Sequence, residues 1–175
     1  MALGVAVPWD QGVSEYGQES MWRDTATADA ERARDLAARL ERRAKAEDEV
    51  AARDTYLGLL DIAAGERVLD VGCGSGAVTR EIARRVGSRG LAVGLDPSPA
   101  LLAVARELAH ETGFGDRIEF REGNALRLPF PDRSFDAVVC VTVLSHVPRG
   151  RLPSLNWFES CGREDVSGSS TWTQT

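Results

Sequence analysis

Residues 67–76, RVLDVGCGSG, contain the pattern that decides the fold. The first half, Arg67–Val71, is a short apolar run that predicts a strand, and glycines then occupy alternate positions at Gly72, Gly74 and Gly76. Glycines are needed where a turn is tight and where a ligand lies against bare backbone. The stretch therefore predicts a strand that leads into a ligand-binding loop, and its glycine spacing also satisfies the dinucleotide fingerprint.

Helices and strands alternate after this loop. Val78, Ile82 and Val86 recur at helical spacing, and Ser98 is placed to cap a second helix. Strands separated by helices of about 10–15 residues indicate βαβ units and a parallel sheet. The predicted fold class is therefore α/β. The three further strands are predicted at Leu91–Leu95, Ile118–Phe120 and Phe135–Val143.

Two helices are predicted before the first strand, over residues 27–49 and 50–62. In the first of them Ala33, Ala37 and Leu40 follow helical spacing, and the remaining positions are largely charged. This narrow apolar face predicts a helix that covers one side of the domain. A coiled coil is disfavoured because the apolar stripe lasts less than two heptads.

The bulk properties argue against several classes of protein. The chain has 175 residues, enough for one domain, and its net charge of −6 argues against a nucleic-acid partner. No apolar stretch is long enough to span a membrane, and the first residues lack the pattern of a secretory signal. The cysteines are odd in number and widely spaced, which predicts a reducing cytoplasm rather than disulfides or a zinc site. They are Cys73, Cys140 and Cys161.

Acidic and polar residues follow the predicted strands. Asp96 closes the second strand, and its carboxylate can accept hydrogen bonds from both ribose hydroxyls of a nucleoside. Sites for NAD and for S-adenosylmethionine both use such an acid. Asp70, two residues before the first glycine, suits a ligand with an ammonium and a sulfonium group and is unhelpful beside a pyrophosphate. After the third strand, residues 123–125 (Gly-Asn-Ala) can contact an adenine edge.

Three stretches together resemble the class I S-adenosylmethionine-dependent methyltransferases, of the type 11, ubiquinone/menaquinone-biosynthesis-like branch. They are VLDVGCGSG at 68–76, GLDPS at 94–98 and LPFPDRSFDAVV at 128–139, and the resemblance covers residues 66–148. It implies a three-layer, Rossmann-like, doubly wound parallel sheet. Here the sheet is expected to be incomplete, with about four strands in the order 3-2-1-4.

The resemblance also implies S-adenosyl-L-methionine as the cofactor and assigns roles to residues. The glycine-rich loop would lie against its methionine and ribose portions, Asp70 would support the amino group, and Asp96 would bind the ribose hydroxyls. The loop residues assigned to the cofactor are Gly72, Cys73, Gly74 and Gly76.

Five residues farther along the chain complete the implied site. Pro97 is expected near the adenine, and Ala125 would offer its backbone N–H to the ring. Asn124 stands where the family usually has Asp, so one carbonyl acceptor remains for the adenine amino group. The backbone carbonyl of Val141 would face the methionine moiety. His146 is the candidate general base, with shaping of the pocket rim as the alternative role.

The predicted organisation has three parts. Residues 1–65 form an N-terminal helical extension, residues 66–148 the cofactor-binding core, and residues 149–175 an irregular C-terminal tail without helix or strand periodicity. The later strands of the family are not visible in this tail. We therefore expect a chain that is truncated or altered after about residue 148, whose fourth strand has an exposed edge open to self-association.

The predicted function is methyl transfer from S-adenosylmethionine to a small-molecule acceptor. One alternative is a non-catalytic, cofactor-binding remnant or a subunit that depends on a partner. The other is an NAD(P)-dependent oxidoreductase, because the glycine pattern and Asp96 occur in that class as well.

Overall fold

The computed structural model describes residues 27–125 and 127–141. Within these ranges the chain alternates between helices and strands in the predicted order. The helices are α1 (Ala30–Ala44), α2 (Glu47–Leu59), α3 (Ala77–Val86) and α4 (Pro99–Glu111). The strands are β1 (Arg67–Val71), β2 (Leu91–Asp96), β3 (Ile118–Glu122) and β4 (Ala137–Val139).

The four strands form one parallel sheet in the order β3-β2-β1-β4. Asp70 of β1 lies opposite Gly94 on one side and Val139 on the other. The carboxyl ends of parallel strands meet at the same edge of a sheet, and in this fold class that edge binds ligands. The predicted α/β class and strand order are therefore confirmed.

Alternate residues of β1 face opposite sides of the sheet. Val68 packs with Leu57 of α2 and Ile82 of α3, whereas Leu69 packs with Leu128 and Phe135 on the other side. Both faces of the strand are therefore buried, which explains why its sequence is a continuous apolar run.

The N-terminal helices differ from the prediction in their boundary. The first ends at Ala44, and the second begins at Glu47 with three acidic residues in its first turn. Acidic side chains stabilise the N-terminal end of a helix, so this acidic run starts a new helix instead of continuing the first. As predicted, the apolar face of α1 covers the domain: Ala33 and Ala37 are buried against Leu101 of α4.

The fourth strand begins later than predicted. The N–H of Arg67 donates to the side-chain Oδ2 of Asp136 at 2.8 Å, and the N–H of Asp136 donates to the carbonyl of Arg67, also at 2.8 Å. The side chain of Asp136 thus takes a backbone donor of β1, and strand pairing begins only at Ala137. The last predicted strand positions, 142 and 143, lie outside the described residues.

None of the helices described is both long and apolar enough to cross a membrane.

Candidate cofactor-binding site

The glycine-rich loop connects β1 to α3 and is tied to the end of β2. Gly72, Gly74 and Gly76 have φ angles of 72°, 53° and 77°, a region that side-chain-bearing residues rarely adopt. The N–H groups of Gly72 and Cys73 both donate to the carbonyl of Leu95, at 2.7 and 3.0 Å. The loop therefore folds back over the carboxyl end of the neighbouring strand.

Protein side chains approach two of these glycines closely. A Cβ added at Gly76 would lie 2.9 Å from the Phe120 ring, and one added at Gly74 would lie 3.0 Å from Cδ1 of Leu40. The sequence indicated glycines for the approach of a ligand, and the structure adds close packing of the protein as a second reason. Leu40 belongs to α1, so the N-terminal extension reaches this loop.

Asp96 lies at the end of β2 and is only 7% exposed. Its Oδ2 accepts from the N–H of Gly74 at 3.0 Å, and its Oδ1 accepts from the N–H of Ser98 at 2.9 Å. Burial raises the pKa of Asp96, and these two backbone donors partly oppose the shift. The loop and the start of the following helix thus fix the orientation of the carboxylate.

Asp70 lies at the end of the adjacent strand and is 3% exposed. The hydroxyl of Thr79 in α3 donates to its Oδ2 at 2.6 Å. Burial raises the pKa of Asp70 to about 7; the charge of Asp96 also raises it, and the Thr79 hydrogen bond opposes the shift. Asp70 is therefore partly protonated near neutral pH, and a cation brought close to it would favour its ionised form.

The segment after β3 lies beside Asp96. The N–H of Gly123 donates to the backbone carbonyl of Asp96 at 3.1 Å, and the N–H of Arg127 donates to the carbonyl of Asn124 at 3.0 Å. A Cβ at Gly123 would lie only 2.5 Å from Cδ1 of Leu95, so a larger residue here would force the buried Leu95 side chain to move. Asn124 is exposed at the turn, and Ala125 is half-buried.

The remaining predicted residues are placed as follows. Pro97 is exposed directly after Asp96, and Cys73 is buried within the loop, where burial raises the pKa of its thiol. Val141 is half-buried beyond the end of β4, on the side of the sheet that α2 and α3 cover. His146 lies outside the described residues. The other predicted residues, from Asp70 to Ala125, come together at the carboxyl edge of the sheet.

This donor and acceptor set fits a nucleoside with a charged amino-acid tail. Each carboxylate oxygen of Asp96 accepts one backbone N–H, and an ionised carboxylate oxygen has capacity for a further donor such as a ribose hydroxyl. Asp70, two residues before the glycines, offers a negative charge when it is ionised. Both acids are anchored by hydrogen bonds within the protein.

A parallel sheet in this order, with an acid after β2 and a glycine-rich loop after β1, is common to class I S-adenosylmethionine-dependent methyltransferases and NAD-binding proteins, and the family match distinguishes between them. The chain belongs to the family described as "Methyltransferase domain", whose sequence pattern matches residues 68–157. The prediction of this class from sequence is confirmed.

Two curated relatives match the same part of the chain. A 2-phytyl-1,4-naphtoquinone methyltransferase of Synechococcus elongatus is 45% identical over 84 residues, which are 48% of this chain and 36% of the relative. A ubiquinone/menaquinone biosynthesis C-methyltransferase of Hahella chejuensis is 44% identical over 77 residues, 44% of this chain and 31% of the relative. The matches thus span about a third of the length of these relatives.

The fold is also that of a solved structure. A SAM-dependent methyltransferase from Aquifex aeolicus superposes with a TM-score of 0.55 at 20% identity, covering 62% of this chain and 57% of the other. At this identity the similarity concerns the fold alone.

Proposed function

We propose that this chain binds S-adenosyl-L-methionine and functions as a methyltransferase that acts on a small-molecule acceptor. The observation that carries the proposal is the convergence of the glycine loop, Asp70, Asp96 and residues 123–125 at one edge of the sheet. The quinone methyl acceptors in the names of its relatives support a small organic acceptor. Nucleic-acid and membrane partners are not part of the proposal.

The proposed roles follow the position of each group. The backbone of the loop from Gly72 to Gly76, with Cys73, contacts the methionine and ribose portions, and Asp70 faces the charged amino-acid end. Asp96 accepts from the ribose hydroxyls. The adenine contacts are assigned to Pro97, Asn124 and Ala125, and the carbonyl of Val141 is assigned to the methionine moiety.

The protein contributes mainly alignment to the proposed reaction. When bound, the cofactor supplies a methyl group on a positively charged sulfur, and the resulting thioether is a good leaving group. The rigid loop and the anchored carboxylates hold the bound group in one position, so the acceptor atom need only be aligned with it. If the acceptor must lose a proton, His146 is the proposed base.

The position of Asp70 favours this cofactor over NAD. A buried acid next to the glycines would repel a pyrophosphate when ionised, whereas it attracts an ammonium or sulfonium group. Isothermal titration with S-adenosylhomocysteine, S-adenosylmethionine and NAD tests the choice directly. Binding of NAD without binding of S-adenosylhomocysteine would overturn the proposal.

Turnover requires a second experiment. The purified chain is incubated with methyl-labelled S-adenosylmethionine and a reduced naphthoquinone, and the labelled product is counted. Transfer above the level of the Asp96→Ala variant supports catalysis. Cofactor binding without transfer to this or other small acceptors would favour the non-catalytic, partner-dependent alternative.

Three finer points belong to the proposal. The boundaries of the extension (1–65), core (66–148) and tail (149–175) are retained, although the family match continues to residue 157. The free thiol of Cys73 supports a cytoplasmic location. Among the described strands β4 pairs only with β1, so its other edge is the proposed site of self-association, which sedimentation of the purified chain tests.

A further inference from the structure

An ion pair joins the N-terminal helix α1 to α3, the helix that follows the glycine-rich loop. The Nη2 of Arg80 in α3 donates to both carboxylate oxygens of Glu41 in α1, each at 2.7 Å. The two side chains are only 12% and 18% exposed. A guanidinium and a carboxylate at this distance and burial form strong, charge-assisted hydrogen bonds that fix the relative position of the two helices.

The same pair holds one residue of the loop at two points. The hydroxyl of Ser75 donates to Oε1 of Glu41 at 2.7 Å, and Nη1 of Arg80 donates to the carbonyl of Ser75 at 2.9 Å. Ser75 is itself 2% exposed. The three residues therefore form a closed network, which we call the loop clamp: Glu41, Ser75 and Arg80.

The loop clamp is one residue away from the contact that orients Asp96. Gly74 precedes Ser75, and its N–H is a donor to the Asp96 carboxylate at 3.0 Å. Leu40, the neighbour of Glu41, lies 3.0 Å from the Cβ position of Gly74 and restricts the loop from the same side. A shift of Ser75 would thus move the N–H that fixes the proposed ribose-binding acid.

We propose that Glu41 and Arg80 are positioning residues of the cofactor site, which act through Ser75 and Gly74 on Asp96. Docking of α1 and binding of the cofactor are then coupled: α1 stabilises the binding form of the loop, and the cofactor in turn stabilises α1 in its docked position. The proposed cofactor site therefore includes the N-terminal extension. This inference rests on the proposed function for its ligand but not for its geometry.

The first test measures affinity for S-adenosylhomocysteine by isothermal titration. Glu41→Ala should raise the dissociation constant about tenfold, within the range usual for coupled sites, and Glu41→Gln by less because it retains one acceptor. Arg43→Ala is the matched control. The exposed Arg43 lies on the same helix and pairs with the half-buried Glu49, away from the loop, so the affinity of the Arg43→Ala variant should match the wild type.

A double-mutant cycle tests whether the two residues act together. If they do, Arg80→Ala should weaken binding little further in a Glu41→Ala background. Additive losses, or unchanged affinity in Glu41→Ala with a wild-type melting temperature, would overturn the proposal. Glu41→Gln keeps the question answerable if the alanine variant fails to fold, because it preserves the size of the side chain.

Hydrogen exchange of the ligand-free protein separates failure of this inference from failure of the proposed function. Glu41→Gln should accelerate exchange of the Gly74 amide and of α1 amides at Ala33–Leu40, and Arg43→Ala should not. S-adenosylhomocysteine should slow exchange of α1 in the wild type. If the wild type does not bind it, the proposed function fails, while the ligand-free exchange rates still test the loop clamp. Equal Gly74 exchange rates in all variants would overturn the inference.

Discussion

The carboxyl ends of β1 and β2 each present a buried aspartate, and the two are held in different ways. Asp96 accepts two backbone N–H groups, one from the glycine loop and one from the start of α4, whereas Asp70 accepts the side-chain hydroxyl of Thr79. Burial raises the pKa of both, to about 7 for Asp70. Two backbone donors fix the Asp96 carboxylate in place, whereas burial leaves Asp70 partly protonated although the Thr79 hydroxyl opposes that shift.

The two aspartates are therefore suited to different roles. Asp96 is an anchored acceptor at the proposed ribose position. Asp70 can change its protonation state near neutral pH, and so it can respond to a positive charge brought next to it. Substitutions of Asp96 and of Asp70 test these two roles separately.

The largest effect is expected from Asp96→Ala. Hydrogen bonds to a charged group contribute about 1.5–3 kcal/mol each, so loss of two ribose contacts should raise the dissociation constant of S-adenosylhomocysteine at least about a hundredfold. Isothermal titration measures it, with the exposed Asp116→Ala as a control. Unchanged affinity in Asp96→Ala would remove this residue from the proposed site.

How far the sequence could predict these features depends on how local each one is. The strands, the glycine loop and Asp96 were predictable because their signals lie within a few neighbouring positions. The class was predictable because three such motifs occur together, at 68–76, 94–98 and 128–139.

Contacts between distant residues gave no such signal. Thr79 reaches Asp70 only because α3 packs on β1, and Glu41 reaches Arg80 only because α1 crosses the loop. Nothing in helical periodicity distinguishes Glu41 from the other charged residues of α1. The start of β4 was misplaced for the same reason, since the side chain of Asp136 pairs with a residue distant in sequence.

The second prediction concerns Asp70→Asn and the pH dependence of stability. The pKa of Asp70 rises from an ordinary value of 3.8 to about 7 on folding, so the folded state binds the proton more tightly. Its contribution to stability is therefore lost as pH rises from about 4 to about 7. Relative to Asp70→Asn, the wild type should be about 2 to 3 kcal/mol less stable at pH 8 than at pH 5.

Urea unfolding at the two pH values checks this difference. The Asp116→Asn variant, at an exposed position, is the control, and its free energy of unfolding should match that of the wild type at both pH values. A constant difference between wild type and Asp70→Asn would mean that Asp70 does not titrate in this range in the folded protein.

Thr79→Val should have a smaller, pH-dependent effect. The variant keeps the shape of the side chain but removes the donor to Asp70, at a cost of about 1–3 kcal/mol when the carboxylate is ionised. Because this hydrogen bond lowers the pKa of Asp70, the loss should be greater at pH 8 than at pH 5. Thr55→Val, which removes an exposed bond to the Ala51 carbonyl, should show no such trend in urea unfolding.

The smallest effect expected is the release of a fraction of a proton on cofactor binding. At pH 7 Asp70 is about half protonated, and a nearby ammonium or sulfonium group favours its ionised form. Binding of S-adenosylmethionine should therefore release up to about half a proton, and S-adenosylhomocysteine, which lacks the sulfonium charge, should release less.

Titration calorimetry in phosphate and in Tris at pH 7 measures this proton release from the difference in binding enthalpy between the two buffers. Asp70→Asn should abolish the difference between buffers, and so should work at pH 9, where the carboxylate is already ionised. A wild-type enthalpy that is the same in both buffers at pH 7 would show that Asp70 does not sense the cofactor's charge, and would leave Asp96 as the only acid of the pair with a ligand role.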